Sequence, residues 1–200
     1  MILGDRSPRT MFQSRYRRVL GAVLGLESWH GGSPNRHPYR EVVIEGVNAL
    51  RPRSALEIGC GLGDMIARVH VPRRVGADLS ARVLVGTLMA HPLEVLFRGL
   101  SLRRLSLSAP IDEMFDVVVC VNFIHNISPP ELRELLGRIC GDNLNSGGTL
   151  VFDTVSNPNY RFNHDPAYLL QDVGADLRTV TGFEFGRAIH FARCASWLSA

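Results

Sequence analysis

Three glycines at alternate positions, Gly59, Gly61 and Gly63, follow the apolar run Ala55, Leu56 and Ile58 and stand behind an acid, Glu57. Glycine lets a backbone turn sharply and approach a ligand where a Cβ would collide, so this spacing at the end of a buried strand reads as a cofactor loop. A second carboxylate, Asp78, ends the run Arg74-Val75-Gly76-Ala77-Asp78, about 20 residues past Glu57, as an acid that reaches ribose hydroxyls requires. A charged acceptor strengthens such hydrogen bonds. Asp78 equally suits an acid at the start of a helix entered at Ser80, and both roles stand open.

The spacing separates two kinds of cofactor. A dinucleotide fingerprint places its third glycine, or an alanine, three residues after the second, and here that position is Asp64. Glycines 59, 61 and 63 behind Glu57 instead resemble motif I of the class I S-adenosylmethionine (SAM) methyltransferases, and Gly76-x-Asp78-x-Ser80 resembles their motif II. The resemblance extends over roughly residues 37–196. It implies a single-domain α/β fold, Rossmann-like, with a mostly parallel seven-stranded sheet, helices on both faces and an antiparallel C-terminal strand pair. Residues 1–36 would form an N-terminal arm or lid and residues 37–200 the methyltransferase domain. SAM would be the cofactor and S-adenosylhomocysteine (SAH) the product, held by Glu57, Gly59, Cys60, Gly61, Gly63, Asp78, Leu79 and Asn122.

The segment Asn122-Phe123-Ile124-His125-Asn126 resembles motif IV, which faces both cofactor and methyl acceptor. His125 is the candidate catalytic base, since an imidazole near neutral pKa can take a proton from a hydroxyl or amine; packing or capping is its other role. The resemblance puts Trp29, His30 and Tyr39 in a lid over the cofactor, where an aromatic face can stabilise a sulfonium, or in plain packing of the arm. Phe123 beside Asn122, and Tyr160, Arg161 and His164 in the long polar loop after the fifth strand, complete the substrate-binding set. No metal site is expected. The resemblance departs from the family at the third strand, where a glycine followed by an acid usually contacts adenine but Gly99 is followed by Leu100 and Ser101. Adenine then falls to Leu79 and backbone groups, or the third strand lies elsewhere.

A small-molecule acceptor, methylated on oxygen or nitrogen, is the implied partner, and the Trp29-His30 lead-in resembles small bacterial enzymes of sugar or secondary metabolism. The Asn/Asp-Pro-Pro-Tyr motif of base-amino methyltransferases is absent, because Asn122 is followed by Phe123. Two other readings compete: a NAD(P)-dependent oxidoreductase, opposed by Asp64, and a SAM-fold protein that binds cofactor but is regulatory or runs a non-methylating reaction.

Composition narrows the chemistry further. All 22 basic residues of the 200 are arginine, which leaves no amine for a Schiff base or a Walker phosphate loop. The net charge is +3 and the arginines are scattered apart from an N-terminal group, so no nucleic-acid face is expected. Four cysteines without ligand spacing read as buried thiols of a cytoplasmic protein. No apolar stretch approaches the ~18 residues of a membrane span, and no membrane association is expected.

The elements that must carry these residues follow from pattern. Apolar positions at helical spacing predict helices over Met11–Leu26, Tyr39–Leu50, a short Asp64–Val69 and Ala81–Ala90. Phe115–Val121 is a continuous apolar run, the mark of a strand buried on both faces. Ser128, Pro129 and Glu131 form a capping box before a helix. Strands are expected at 95–97, Thr149–Val155, 176–181 and 188–195, with a helix entered at Asp165-Pro166.

Overall fold

The computed structural model describes residues 8–27 and 37–195, with side chains from residue 15 onward. Trp29 and His30 lie outside the described residues. Seven strands form one sheet in the order β3-β2-β1-β4-β5-β7-β6. They are β1 (Ser54–Ile58), β2 (Arg73–Asp78), β3 (Leu100–Arg104), β4 (Phe115–Cys120), β5 (Leu144–Thr154), β6 (Ala175–Val180) and β7 (Ala188–Cys194). The pairs from β3 through β5 are parallel, and β7 runs antiparallel to both β5 and β6. This is the mostly parallel sheet with a C-terminal antiparallel pair that the resemblance implied.

Alternation along each central strand builds two cores. In β4, Val118 and Cys120 join Leu56, Leu150 and Phe152 on one face, under Leu132 and Leu136 of α5 (Pro129–Arg138). Val117 and Val119 face the other way, against Val43 and Val47 of α2 (Pro38–Leu50), with Val151 and Ile189. A strand covered on both sides has no polar face to keep, which is why β4 reads as an unbroken apolar run. α5 starts as its residues dictate: Pro129 fills the first position and the Glu131 carboxylate accepts from the Ser128 backbone N–H at 3.2 Å.

Residues 95–97, expected as a strand, are helical. Pro92 opens a short α4 (Pro92–Phe97) behind α3 (Ala81–Ala90), and Gly99, at φ 74°, turns the chain into β3. The reason is position: β3 is an edge strand, so it tolerates Ser101, Arg103 and Arg104, while the apolar Val95-Leu96-Phe97 that imitated a strand lies outside the sheet. The helix expected over 64–69 reduces to a single turn at Ile66–Arg68, and α6 is only Pro166–Leu169. The amphipathic segment near the N-terminus is α1 (Pro8–Leu24), laid over α3: Tyr16 donates to the Met89 carbonyl at 3.0 Å, and Arg17 forms an ion pair with Asp64 of the glycine loop.

Gly46 lets α2 approach β7, because a Cβ there would lie 2.3 Å from Cζ of Phe191. Gly46→Ala would gain about 1 kcal/mol of helix propensity but overpack a core contact at about 1–3 kcal/mol. A net loss of stability is expected from urea denaturation; an unchanged or higher midpoint would mean that the Phe191 ring yields without cost.

Candidate active site

The carboxyl ends of β1, β2, β4 and β5 converge on one edge of the sheet, where open α/β sheets hold their ligands. On one side lies the glycine loop. Gly59 and Gly63 have φ of 70° and 75°, and neither has space for a side chain: a Cβ would come within 2.7 Å of the Phe123 ring at Gly59 and 2.6 Å of Thr87 Cγ2 at Gly63. The Gly61 N–H donates to Asp78 Oδ2 at 3.2 Å, and Asp78 Oδ1 accepts from the Ser80 N–H at 2.9 Å. Asp78 therefore ties the loop to the start of α3, and each carboxylate oxygen retains a lone pair for a ligand. Leu79, next to it, is 63% exposed.

Glu57 and Cys60 support this loop from within. Glu57 is buried and its Oε2 accepts from the Ile66 N–H at 2.8 Å; burial pushes its carboxyl up to about 8, against the effect of that hydrogen bond. Cys60 is buried too, and burial raises its thiol well above the ordinary value. Asp64 behaves oppositely. Burial alone would raise it, but the His91 ring, with Nε2 3.9 Å away, and the guanidinium ions of Arg17 and Arg40, the latter at 2.7 Å, hold it well below the usual carboxylate range.

The other side of the edge is a buried polar cluster. Asp153, at the end of β5, has no exposed surface, and it forms an ion pair with Arg187, which immediately precedes β7. Asp153 Oδ1 accepts from the Asn122 N–H at 2.9 Å, and Oδ2 lies 3.1 Å from His125 Nε2. Arg187 Nη2 donates to Asn122 Oδ1 at 3.0 Å and to the Tyr160 hydroxyl at 3.2 Å, and the guanidinium lies 4.5 Å from the centre of the Tyr39 ring. Asn122 itself sits at φ 71° and is exposed.

The histidines of this cluster are closed in. His125 Nε2 faces both the Asp153 carboxylate and, at 3.5 Å, Arg187 Nη1, and its Nδ1 is buried without a partner. Burial, with Arg187 second, pulls its pKa down to about 4, so the ring is neutral near pH 7. His164 repeats the arrangement, with Nε2 3.2 Å from the Ile124 carbonyl, Nδ1 buried without a partner, and a pKa lowered by burial.

No known family profile matches the chain. Two curated relatives do, both named ubiquinone biosynthesis O-methyltransferase: that of Methylococcus capsulatus is 31% identical over 147 residues, and that of Paracidovorax citrulli 30% over 146. Each alignment takes in 70% of this chain but only 56% and 57% of the relative, so the chain spans a little over half their length. Among solved structures, the N-methyltransferase NodS of Bradyrhizobium japonicum WM9, in complex with SAH, superimposes with a TM-score of 0.66 at 16% identity, over 90% of this chain and 98% of that one. In sequence the chain is thus similar to O-methyltransferases, and its fold is that of a SAM-dependent methyltransferase.

Within this fold, most of the expected residues fall into two groups. Gly59, Cys60, Gly61, Gly63, Asp78 and Leu79 assemble around one loop with Glu57 beneath it, and Asn122, His125, Tyr39 and Tyr160 meet at the Arg187 cluster. Phe123 stands between the two, its ring against Gly59. Arg161 is exposed, with its guanidinium 5.2 Å from the centre of the Phe162 ring, and it is not drawn into either group. Arg187, Asp153 as its partner, and the Arg17–Asp64–Arg40 bridge are absent from the sequence reading. A signal for Asp153 exists, since an acid inside the apolar run Val151-Phe152-Asp153 must find a partner. Nothing in the pattern points to a residue 34 positions later as that partner.

Glu57 yields a pH test. Its folded value of about 8 exceeds the ordinary 4.5, so the native state holds a proton that the unfolded chain releases. The contribution is fully present below about pH 4.5 and is lost as pH rises through about 8, with a slope of at most about 1.4 kcal/mol per pH unit. Glu57→Gln does not titrate there, so its Tm should gain on the parent's between pH 5 and pH 8. A gap independent of pH would mean that the carboxyl stays ionised when folded.

Proposed function

We propose that this protein transfers the methyl group of SAM to an oxygen or nitrogen of a small molecule, releasing SAH. The observation that carries the reading is the pairing of a loop with no room for Cβ atoms at Gly59 and Gly63 with the Asp78 carboxylate fixed beside it. The glycines give a tight turn packed on Phe123 and Thr87, with no side chain at those positions to obstruct a ligand, and Asp78 suits ribose hydroxyls. The backbone of Gly59, Cys60, Gly61 and Gly63 would hold the amino-acid end of the cofactor, with Leu79 packing on adenine and the Asn122 segment, just after β4, facing both the cofactor and the acceptor. Asp64, already engaged by Arg17 and Arg40, occupies the position where a dinucleotide loop carries its third small residue.

When bound, the sulfonium supplies an already activated methyl group, so no protein nucleophile is required. What the chain contributes is alignment and exclusion of water, worth several kcal/mol when the acceptor is held in line. Oxygen is favoured as the acceptor atom, because the curated relatives are O-methyltransferases by name. The described part of the N-terminal arm, α1, belongs to the cofactor side in this reading, supported by the hold of Arg17 on Asp64. A cytoplasmic setting, supported by four free buried thiols, is part of the same proposal. Among the described residues no helix is long and apolar enough to cross a membrane.

Calorimetry on the purified chain should detect SAH and SAM and no NAD; NAD binding without SAM or SAH would overturn the reading. Gly61→Val should abolish that binding with an unchanged circular dichroism spectrum. Radiolabelled methyl transfer to a panel of catechol, phenol, glycoside and aromatic amine acceptors then identifies the substrate class. His125, neutral and sealed, acts in this proposal by holding the acceptor wall rather than by moving a proton. His125→Ala should lower Tm yet keep turnover per folded molecule within a few-fold, and the parent's rate should show no imidazole step between pH 6 and 8. A loss of roughly 10²-fold or more at unchanged SAH affinity would instead assign it as the base.

A further inference from the structure

Arg187 joins four parts of the chain at the cluster beside the glycine loop. Its planar fork reaches Asp153 on β5, Asn122 after β4 and Tyr160 in the following loop, and its flat face covers Tyr39 on α2. It is 4% exposed, so its charge is held by Asp153 and is not offered to a ligand. The consequence falls on Asn122. Its backbone N–H is taken by Asp153 and its Oδ1 by Arg187, while the residue itself is exposed in a left-handed conformation. The end of the amide not engaged by Arg187 is Nδ2, which can only donate.

We propose that Arg187 is a positioning residue that selects the substrate: by fixing the Asn122 amide with its oxygen inward, it makes the acceptor pocket present a hydrogen-bond donor, suited to a molecule carrying an oxygen lone pair beside the methylated atom. The inference rests on the methyl-transfer reading for its substrate and on geometry alone for its first step. Without Arg187, the amide is free to rotate and present either end. A lysine in its place would keep the charge but not a fork that spans Asp153 and Asn122 together.

The test uses the full chain with Arg187→Met, Asp153→Asn and the two combined. Each single change strands one half of a buried pair and should lower Tm, whereas the combination removes both charges and should recover most of that loss. A pair that only stabilises the fold would then restore everything else along with Tm. A positioning role restores Tm alone. In asparagine-selective 15N spectra, the Asn122 side-chain amide, assigned by its loss in Asn122→Ala, should shift in the combined variant to the averaged position of solvent-exposed asparagines. On an acceptor of the panel that the parent methylates, kcat/KM should fall at least ten-fold while SAH affinity stays within three-fold. Should the combined variant fail to fold, Arg187→Lys gives the same reading of the amide signals. Unmoved Asn122 signals in a folded variant would overturn the proposal whether or not any acceptor is methylated. Moved signals in a parent that methylates none of the panel would count against the methyl-transfer reading alone.

Discussion

A carboxylate without exposed surface, in the middle layer of a sheet covered on both faces, is tolerable only if a cation and several hydrogen bonds meet it there. Asp153 imposes that demand on this protein. Arg187 answers the charge, and the Asn122 N–H and the His125 ring answer the remaining lone pairs. Because Asn122 and His125 come from the loop after β4 and Arg187 from the chain entering β7, neutralising one buried group near the end of β5 fixes the relative placement of these segments. His125 is a member of this cluster: its Nε2 lies against Asp153 and burial keeps the ring neutral.

The cofactor half relies on a different device. There the chain gains proximity by subtraction, through glycines whose missing side chains leave Phe123 and Thr87 close to the backbone. Its charges are arranged around the loop rather than in it. Asp64 is held by two arginines, one from α1 and one from α2, so the helices before the sheet are anchored to the cofactor loop by the acid that also breaks a dinucleotide pattern. Phe123 is the physical join between halves, since its ring fills the space that a Cβ at Gly59 would need.

Legibility in the sequence followed the range of the interactions. β1, β2, β4 and α5 were readable because their signals are local: apolar runs, a glycine spacing and the Ser128–Glu131 box. β3 was not, because an edge strand need not be apolar and a nearby apolar helix imitated it. The same rule divides the site. Gly59, Gly61, Gly63 and Asp78 lie on two consecutive strand ends and announce themselves by spacing. Arg187 stands 34 residues beyond Asp153 and meets it only because β7 folds back along β5, and long-range pairing of this kind leaves no periodic trace in the chain.

The reversal of β7 also has a bearing on how such a site can change. The turn before it is tight: Phe185 and Gly186 both have positive φ, the Phe185 carbonyl accepts from the Ser156 N–H at 3.2 Å, and a Cβ on Gly186 would come within 2.9 Å of Ser156 Cβ. The segment that carries Tyr160 and the residue that steadies it are thus buckled together at their roots, although they are far apart in the chain. Diversifying the loop alone would pull against that buckle. A lineage or a library that seeks new acceptors has reason to vary residues 156–164 and 184–187 as one inherited unit, with the sheet left as a fixed chassis.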